Sequence, residues 1–382
     1  MKYIKMLDPL VFYEFLNENN INFFTGVPDS LLKEFNNVIL EKTNIKNHCI
    51  TSNEGSSIGL ASGYYLSTNK IPLVYLQNSG IGNTINPLMS LASDEVYSIP
   101  MLIIVGWRGE PGISDEPQHI SQGKCMINLI ESLNIPYEIM PKNNEDMRIT
   151  LNKTLKSLSI NKKPHIILVS KNTFSIYKSN IIIENNNEIY RKDAINLLVK
   201  YFYNDILLST TGKISRELME CFKDNNKSDD NLFLNVGAMG HVSMISLGVA
   251  LQTDKRVVCI DGDGSIIMHM GNLTSVGTSN LSNIIHIVLN NGMHESVGTQ
   301  PTVAFNISLS KIADSCGYKF NKSITTYDEL NDILNKLTSD NIVGPIFIEI
   351  IINNKTNYNS ELSRPEQHPR DRKEKFMKFI KL

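Results

Sequence analysis

Paired cysteines, a surplus of charge and long apolar runs are all missing from this 382-residue chain, and each gap closes off a class of protein. The five cysteines, Cys49, Cys125, Cys221, Cys259 and Cys316, are scattered with no CxxC spacing, which argues for reduced thiols rather than a disulfide framework. With 37 basic against 39 acidic residues the formal net charge is -2, so no overall field draws in nucleic acid or an anionic membrane. An anionic ligand has to be held locally. The longest apolar runs, such as MLIIVGW, have strand length and fall short of the ~20 residues that a membrane span needs. No signal-type apolar region follows the opening MKYIKMLDPL, and the expected setting is the cytoplasm. What is present, 41% hydrophobic and 20% charged residues, is a soluble globular balance with enough chain for two domains.

The two halves share one grammar. Residues 1–175 alternate helical stretches with INFFTGV, KIPLVYLQNS, PMLIIVGW and PHIILVS; residues 191–355 restart it with DILLSTTG, RVVCIDGDG, IIHIVLNN and GPIFIEIII. Short apolar runs separated by helices predict an α/β class with two mainly parallel sheets flanked by helices. The polar, Asn-rich stretch at 176–190 reads as a solvated linker, and 356–382 as a tail packing over the surface through FMKFI.

Two runs in the second half end unusually. RVVCI stops in DGDGS and IIHIVL stops in NNGMH, and in a parallel sheet both emerge at the carboxyl edge, where open α/β sheets bind ligands. Glycines leave backbone amides unobstructed for a phosphate. Asp263 would repel that phosphate unless a divalent cation stood between them, and magnesium takes about six oxygen ligands. Asn291, 28 positions on (291 − 263), can supply an amide oxygen. GDGS alone reads equally well as an ordinary turn; the NN after the next run removes much of that alternative. On this reading Asp263 is an exposed loop carboxylate whose removal leaves the fold intact.

GDGS followed at this distance by NN resembles the cofactor motif of the thiamine diphosphate-dependent 2-oxo-acid decarboxylases. The resemblance implies magnesium held by Asp263, the side chain of Asn291 and the backbone carbonyl of Met293, with Asn290 the less suited amide, and Gly262, Gly264 and Ser265 around the diphosphate. NVGAMGHVSMISLGVAL resembles the segment along the thiazolium ring, with Met239 as an apolar wedge flanked by Gly237 and His241; from the residues alone Met239 is core filler. STTGKISRE implies diphosphate contacts from Thr211 and Gly212, while Lys213 reads equally as a surface charge. Glu54, in TSNEGSSIGLASGYYL, matches the glutamate that activates the cofactor by protonating its aminopyrimidine, a task suited to a carboxyl whose pKa burial raises. TGVPDSLL implies that Asp29 transfers protons or orients substrate, and NSGIGNTINPL resembles the family's glycine-rich turn. GWRGEPGISDEPQHISQG places His119 as an active-site histidine and Arg108 as an anion partner, its planar fork matching carboxylate or phosphonate. Lys124 is a further cation for the substrate. His294 and Glu295, in NGMHES, are further groups for proton transfer.

The chain has no room for the third domain that many such enzymes insert between the two halves. In this it resembles the phosphonopyruvate decarboxylases, along nearly its whole length and most weakly between about 140 and 205. That resemblance implies two thiamine diphosphate-binding-fold domains and non-oxidative decarboxylation of 3-phosphonopyruvate to phosphonoacetaldehyde and carbon dioxide, in phosphonate biosynthesis. Sulfopyruvate decarboxylase is the near alternative, and a carboligase or transferase of the same fold a further one. It also implies a homo-oligomer with active sites at the subunit interface.

Overall fold

The computed structural model describes residues 6–181, 184–339, 342–355, 362–363 and 367–381. The chain divides into two compact units, Met1–Ile182 with His294–Gln300, and Ile183–Met293 with Pro301–Leu382.

The first unit is built on six parallel strands, β1 (Phe24–Gly26), β2 (His48–Ile50), β3 (Leu73–Gln77), β4 (Leu102–Gly106), β5 (Tyr137–Ile139) and β6 (His165–Val169), in the order β2-β1-β3-β4-β6-β5. The central strands read LVYLQ, LIIVG and HIILV because helices cover both of their faces, so polar alternation has no place in them. Alternate residues feed two cores. Leu73, Tyr75, Leu102, Ile104 and Ile167 meet Phe12, Leu16, Phe35 and Leu151, while Val74, Leu76, Ile103, Val105 and Leu168 meet Ile58, Ala61, Met126 and Ile130. Helix starts are specified locally: Asp8 accepts from the Leu10 amide at 2.9 Å ahead of a proline at the first position, and Asn53 accepts from Ser56 at 2.9 Å at the head of Glu54–Thr68.

The second unit repeats this plan with β7 (Ile206–Ser209), β8 (Leu232–Leu234), β9 (Val257–Gly262), β10 (Ile284–Asn290), β11 (Phe320–Ile324) and β12 (Ile346–Ile351). Their order, β11-β12-β10-β9-β7-β8, is the first sheet's order with six added to each number, read from the other end. The order reverses between β1 and β3 in one sheet and between β7 and β9 in the other, and such reversals open a crevice at the carboxyl edge.

The Asn-rich stretch is not simply solvated. Asn185 and Asn187 donate their side-chain amides to the Ile352 carbonyl at 3.2 and 3.1 Å, and Asn353 donates to the Asn187 carbonyl at 2.8 Å, so asparagines tie this segment to the end of β12. Of the expected tail, residues 356–361, 364–366 and 382 lie outside the described residues. Its helix Pro369–Lys381 buries Phe376 against Phe233, with ring centroids 5.5 Å apart. Among the described residues no helix is long and apolar enough to cross a membrane.

Two histidines of the first unit are held uncharged by burial. His165, at the start of β6, and His48, whose Nε2 lies 2.8 Å from Tyr75 Oη, are both pushed down to about 4. The unfolded chain therefore takes up protons first as pH falls below about 6.5. The stability these residues lend is complete above that pH and is lost on the way down to 4, by on the order of 3 kcal/mol for the buried His165. Urea midpoints at pH 7 and 4.5 are expected to differ, and His165→Gln to shrink the gap. A gap unchanged by that substitution contradicts the assignment.

Candidate active site

Strand β9 ends in Gly262 and passes straight into the short helix Asp263–Met268. Beside it, β7 leads through Thr210 and Thr211 to Gly212, whose φ of 95° and ψ of −144° lie where side-chain-bearing residues are strained, and then into Lys213–Asp224. Ser265 stitches three loops together: its buried hydroxyl accepts from Thr210 Oγ1 at 2.9 Å and from the Gly240 amide at 3.1 Å. The loop at 235–241 is tied to its neighbours, with Thr211 Oγ1 donating to the Val236 carbonyl at 3.0 Å and Asn272 Nδ2 to the Gly240 carbonyl at 2.9 Å. Gly237 and Met239 are half-buried in this loop. His241 is exposed, its Nδ1 3.1 Å from the Met239 carbonyl and its ring 4.4 Å from that of His269.

Asp263 differs from expectation, being 3% exposed rather than open to solvent. Burial pushes its carboxyl up to about 7, against the downward pull of Thr302 Oγ1, which donates at 2.5 Å, and of the amides of Gly264, Asp263 and Asn291. The loop is buried because the next strand, β10, runs alongside and delivers Asn291 to the same place. Asn291 is buried, its Oδ1 accepting from the Met293 amide at 3.2 Å. Asn290 faces the other way: its Nδ2 donates to Glu349 Oε1 at 2.9 Å and its Oδ1 accepts from Gly292 at 3.1 Å, which commits it to β12. A buried carboxylate with no cationic side chain among its hydrogen-bond partners, an amide oxygen and a nearby backbone carbonyl form a hard-oxygen donor set of the kind magnesium takes. The residues therefore fit a divalent cation, and the amide-lined turn fits the diphosphate beside it.

In the first unit Glu54 opens the helix Glu54–Thr68, buried, with Asn83 Nδ2 donating to Oε2 at 2.7 Å. Gly80 is needed here, since a Cβ on it would overlap the Glu54 carboxyl. Asp29 follows β1 and is fully buried; Gln77 Nε2 donates to it at 2.6 Å and the Leu31 amide at 2.7 Å, while burial raises its carboxyl. Gln77 Oε1 in turn accepts from Ser79 at 2.6 Å. Arg108 follows β4, and its fork is bidentate on Asp115, with Nε 2.7 Å from Oδ2 and Nη2 on Oδ1, leaving Nη1 to donate to Ser30 at 2.8 Å. Arg108, expected as an anion partner, thus has a carboxylate of this chain in its fork. His119 is half-buried with its Nδ1 unpartnered, its imidazole pushed down by burial and by Arg108. Lys124 is exposed on Pro117–Ser132. His294 is half-buried and pushed down to about 4 by desolvation, so it is uncharged at neutral pH.

The structure therefore gathers Thr211, Gly212, Gly237, Met239, His241, Gly262, Asp263, Gly264, Ser265, Asn291 and Met293 at one carboxyl edge. In the first unit it links Asp29, Arg108 and the loop after β3, and leaves Lys124 apart. Sequence reasoning missed Gln77, Asn83, Asp115, Thr210 and Thr302. Gln77 and Thr210 flank the two points where strand order reverses and could have been sought there; Asp115 and Thr302 carry no such signal.

Residues 10–129 match the family model described as thiamine pyrophosphate enzyme, N-terminal TPP binding domain, and residues 211–350 match the corresponding C-terminal TPP binding domain. The chain is 30% identical over 379 residues to the phosphonopyruvate decarboxylase of Streptomyces viridochromogenes, covering 93% of this chain and 90% of that one. The Streptomyces hygroscopicus phosphonopyruvate decarboxylase is 29% identical over 378 residues, covering 93% and 89%. The sulfopyruvate decarboxylase of Methanosarcina acetivorans is 28% identical over 322 residues, covering 78% and 80%.

The turn that aims Asn291 depends on Gly292, which has a φ of 72° and whose Cβ would overlap the Phe305 ring. Gly292→Ala is expected to cost on the order of 1–3 kcal/mol. Gly248→Ala, in the helix Val242–Ala250 with open space around it, is expected to add about 0.5–1 kcal/mol. Thermal unfolding of the two variants should move in opposite directions; a neutral Gly292→Ala contradicts the constraint.

Proposed function

The chain belongs to the thiamine pyrophosphate enzymes, and from that premise we propose that it decarboxylates 3-phosphonopyruvate to phosphonoacetaldehyde and carbon dioxide, with thiamine diphosphate and magnesium as cofactors. The observation that carries the reading is the meeting of Asp263 and Asn291: the backbone amide of Asn291 donates to the buried Asp263 carboxylate. The two Streptomyces relatives, alike along most of their length, support the substrate. A place in phosphonate biosynthesis follows from that substrate.

Asp263, Asn291 and the Met293 carbonyl would hold magnesium, and Thr211, Gly212, Gly262, Gly264 and Ser265 would receive the diphosphate. Met239, with Gly237 and His241, would lie against the thiazolium, and Glu54 would share a proton with the aminopyrimidine. When bound, the cofactor supplies the electron sink for the pair left by the departing carboxylate. In the net reaction the keto carbon loses carbon dioxide and gains a proton. Burial raises the Asp29 carboxyl and so favours its holding a proton, whereas His119 and His294 are biased toward the uncharged form that accepts one. Arg108 is oriented by Asp115 and Ser30, which presets its position and also offsets its charge; Lys124 is the exposed cation of the same segment. Sulfopyruvate, with a less charged tail, is the second substrate reading, supported by the Methanosarcina relative.

The assembly proposed is a homo-oligomer, each site shared by the first domain of one chain and the second of its neighbour. The helix Glu54–Thr68 supports it: Gly59 and Gly63 face open space beside exposed Leu60 and Leu66.

Purified protein with magnesium and thiamine diphosphate is expected to release carbon dioxide from phosphonopyruvate with stoichiometric aldehyde, ahead of sulfopyruvate and pyruvate. A coupled product in place of the aldehyde would make it a carboligase. Asp263→Ala is expected to abolish magnesium-dependent cofactor binding with the fold intact, since it removes a buried charge. Glu54→Gln is expected to bind cofactor and be almost inactive. Mixed after subunit exchange, the two variants should recover partial activity, because a hybrid dimer collects both lesions in one site; an active monomer in sedimentation excludes the shared site.

A further inference from the structure

Beneath the loop that carries Asp263, one otherwise apolar face of the second sheet holds a line of polar groups that the proposed chemistry does not use. Asp261 on β9 and His286 on β10 are each 1% exposed, and Tyr318, just before β11, is 3% exposed. His286 Nε2 lies 3.4 Å from Asp261 Oδ2, His286 Nδ1 lies 3.0 Å from Tyr318 Oη, and the other Asp261 oxygen accepts from the Gly262 amide at 2.8 Å. Tyr318, whose hydroxyl burial keeps protonated, thus meets one imidazole nitrogen while the Asp261 carboxylate meets the other. Phe347 meets both rings edge-on, at 5.3 Å from His286 and 5.4 Å from Tyr318, and packs the two against each other.

We propose that His286, backed by Tyr318, is a positioning residue for the metal and diphosphate loop, acting through Asp261; the proposal rests on reading that loop as the magnesium and thiamine diphosphate site. The Gly262 amide is turned inward onto Asp261, and this fixes the peptide plane at the point where β9 becomes the loop and where Asp263 takes its direction. Untethered, the Asp261 carboxylate can rotate and release that amide, one residue before the ligand it aims. Groups hydrogen-bonded directly to metal ligands typically contribute about ten- to hundredfold in metal affinity, which sets the scale for a line acting one step further out. Cys259, Asp261 and His286 also have ligand atoms within 4.8 Å of one another, a grouping that suggests a metal of its own. Both imidazole nitrogens, however, are already engaged by Asp261 and Tyr318, which makes the line a brace rather than a coordination shell.

The test uses the full chain and two readouts: the dissociation constant of magnesium in the presence of thiamine diphosphate, by calorimetry, and the thermal midpoint of the metal-free protein. Tyr318→Phe, which removes one hydroxyl and keeps the ring packing, is expected to weaken magnesium severalfold with an unchanged midpoint. His286→Leu is expected to weaken it roughly tenfold or more. His286→Gln, whose amide can still donate to Asp261, should recover much of that loss, and Cys259→Ser, off the line on the same face, should bind as wild type. Wild-type magnesium affinity in Tyr318→Phe and His286→Leu overturns the brace, as does a loss that Cys259→Ser shares. So does a chelation-resistant metal ion that disappears in His286→Leu. If the unsubstituted protein binds no magnesium and thiamine diphosphate, the reading of the loop falls and the brace with it, a result distinct from normal binding in every variant.

Discussion

A carboxylate buried, among the described residues, with hydroxyl and amide partners and no cationic one is the constraint around which the second unit is arranged. Asp263 sits where the middle of a parallel sheet ends, and its negative charge is costly there. Backbone amides and the Thr302 hydroxyl offset part of that cost. The neighbouring loops are packed so tightly around the spot, through Ser265, that little can relax to offset the rest. A fold that keeps such a group is poised for a cation, and metal binding in it is linked to the stability of the whole unit.

The duplicated strand order gives the two units equivalent crevices with different chemistry in them. In the second, the loops after β7 and β9 are lined by amides, hydroxyls and one acid. In the first, the equivalent loops after β1 and β3 carry Asp29, Gln77 and Asn78, with Arg108 joined to Asn78 by a pair of hydrogen bonds at 2.8 and 3.1 Å. The same topology thus presents amides, hydroxyls and one buried acid in one half and a hydrogen-bonded set of acid, amide and guanidinium groups in the other. Function follows the residues at the strand ends, and the scaffold beneath them is shared.

Much of this was legible in the sequence, for a physical reason. Buried parallel strands are continuous apolar runs of fixed length, and the residues at which RVVCI and IIHIVL stop are the ones presented at the edge. The burial of Asp263 was not legible, since exposure depends on what β10 and Thr302 bring alongside, and neither is near it in sequence. The pairing of Arg108 with Asp115 escaped for a related reason: the two lie seven positions apart in sequence, and the residues between them form an irregular loop, where spacing sets no direction. The role of Asn185 and Asn187 was missed because polar composition looks the same whether its partners are water or a strand end.

Gly106 and Gly80 stand against the carboxyls of Asp29 and Glu54, each leaving no room for a Cβ. The consequence is a rule on sequence change. Positions 29 and 106 form one unit of variation, and so do 54 and 80, because a side chain can enter the glycine position only if its acidic partner shortens or withdraws. Sequence drift in this scaffold is therefore expected to move through paired replacements at these positions, and a lineage that gained a larger residue at 106 while keeping Asp29 would have had to open the end of β4 to do so.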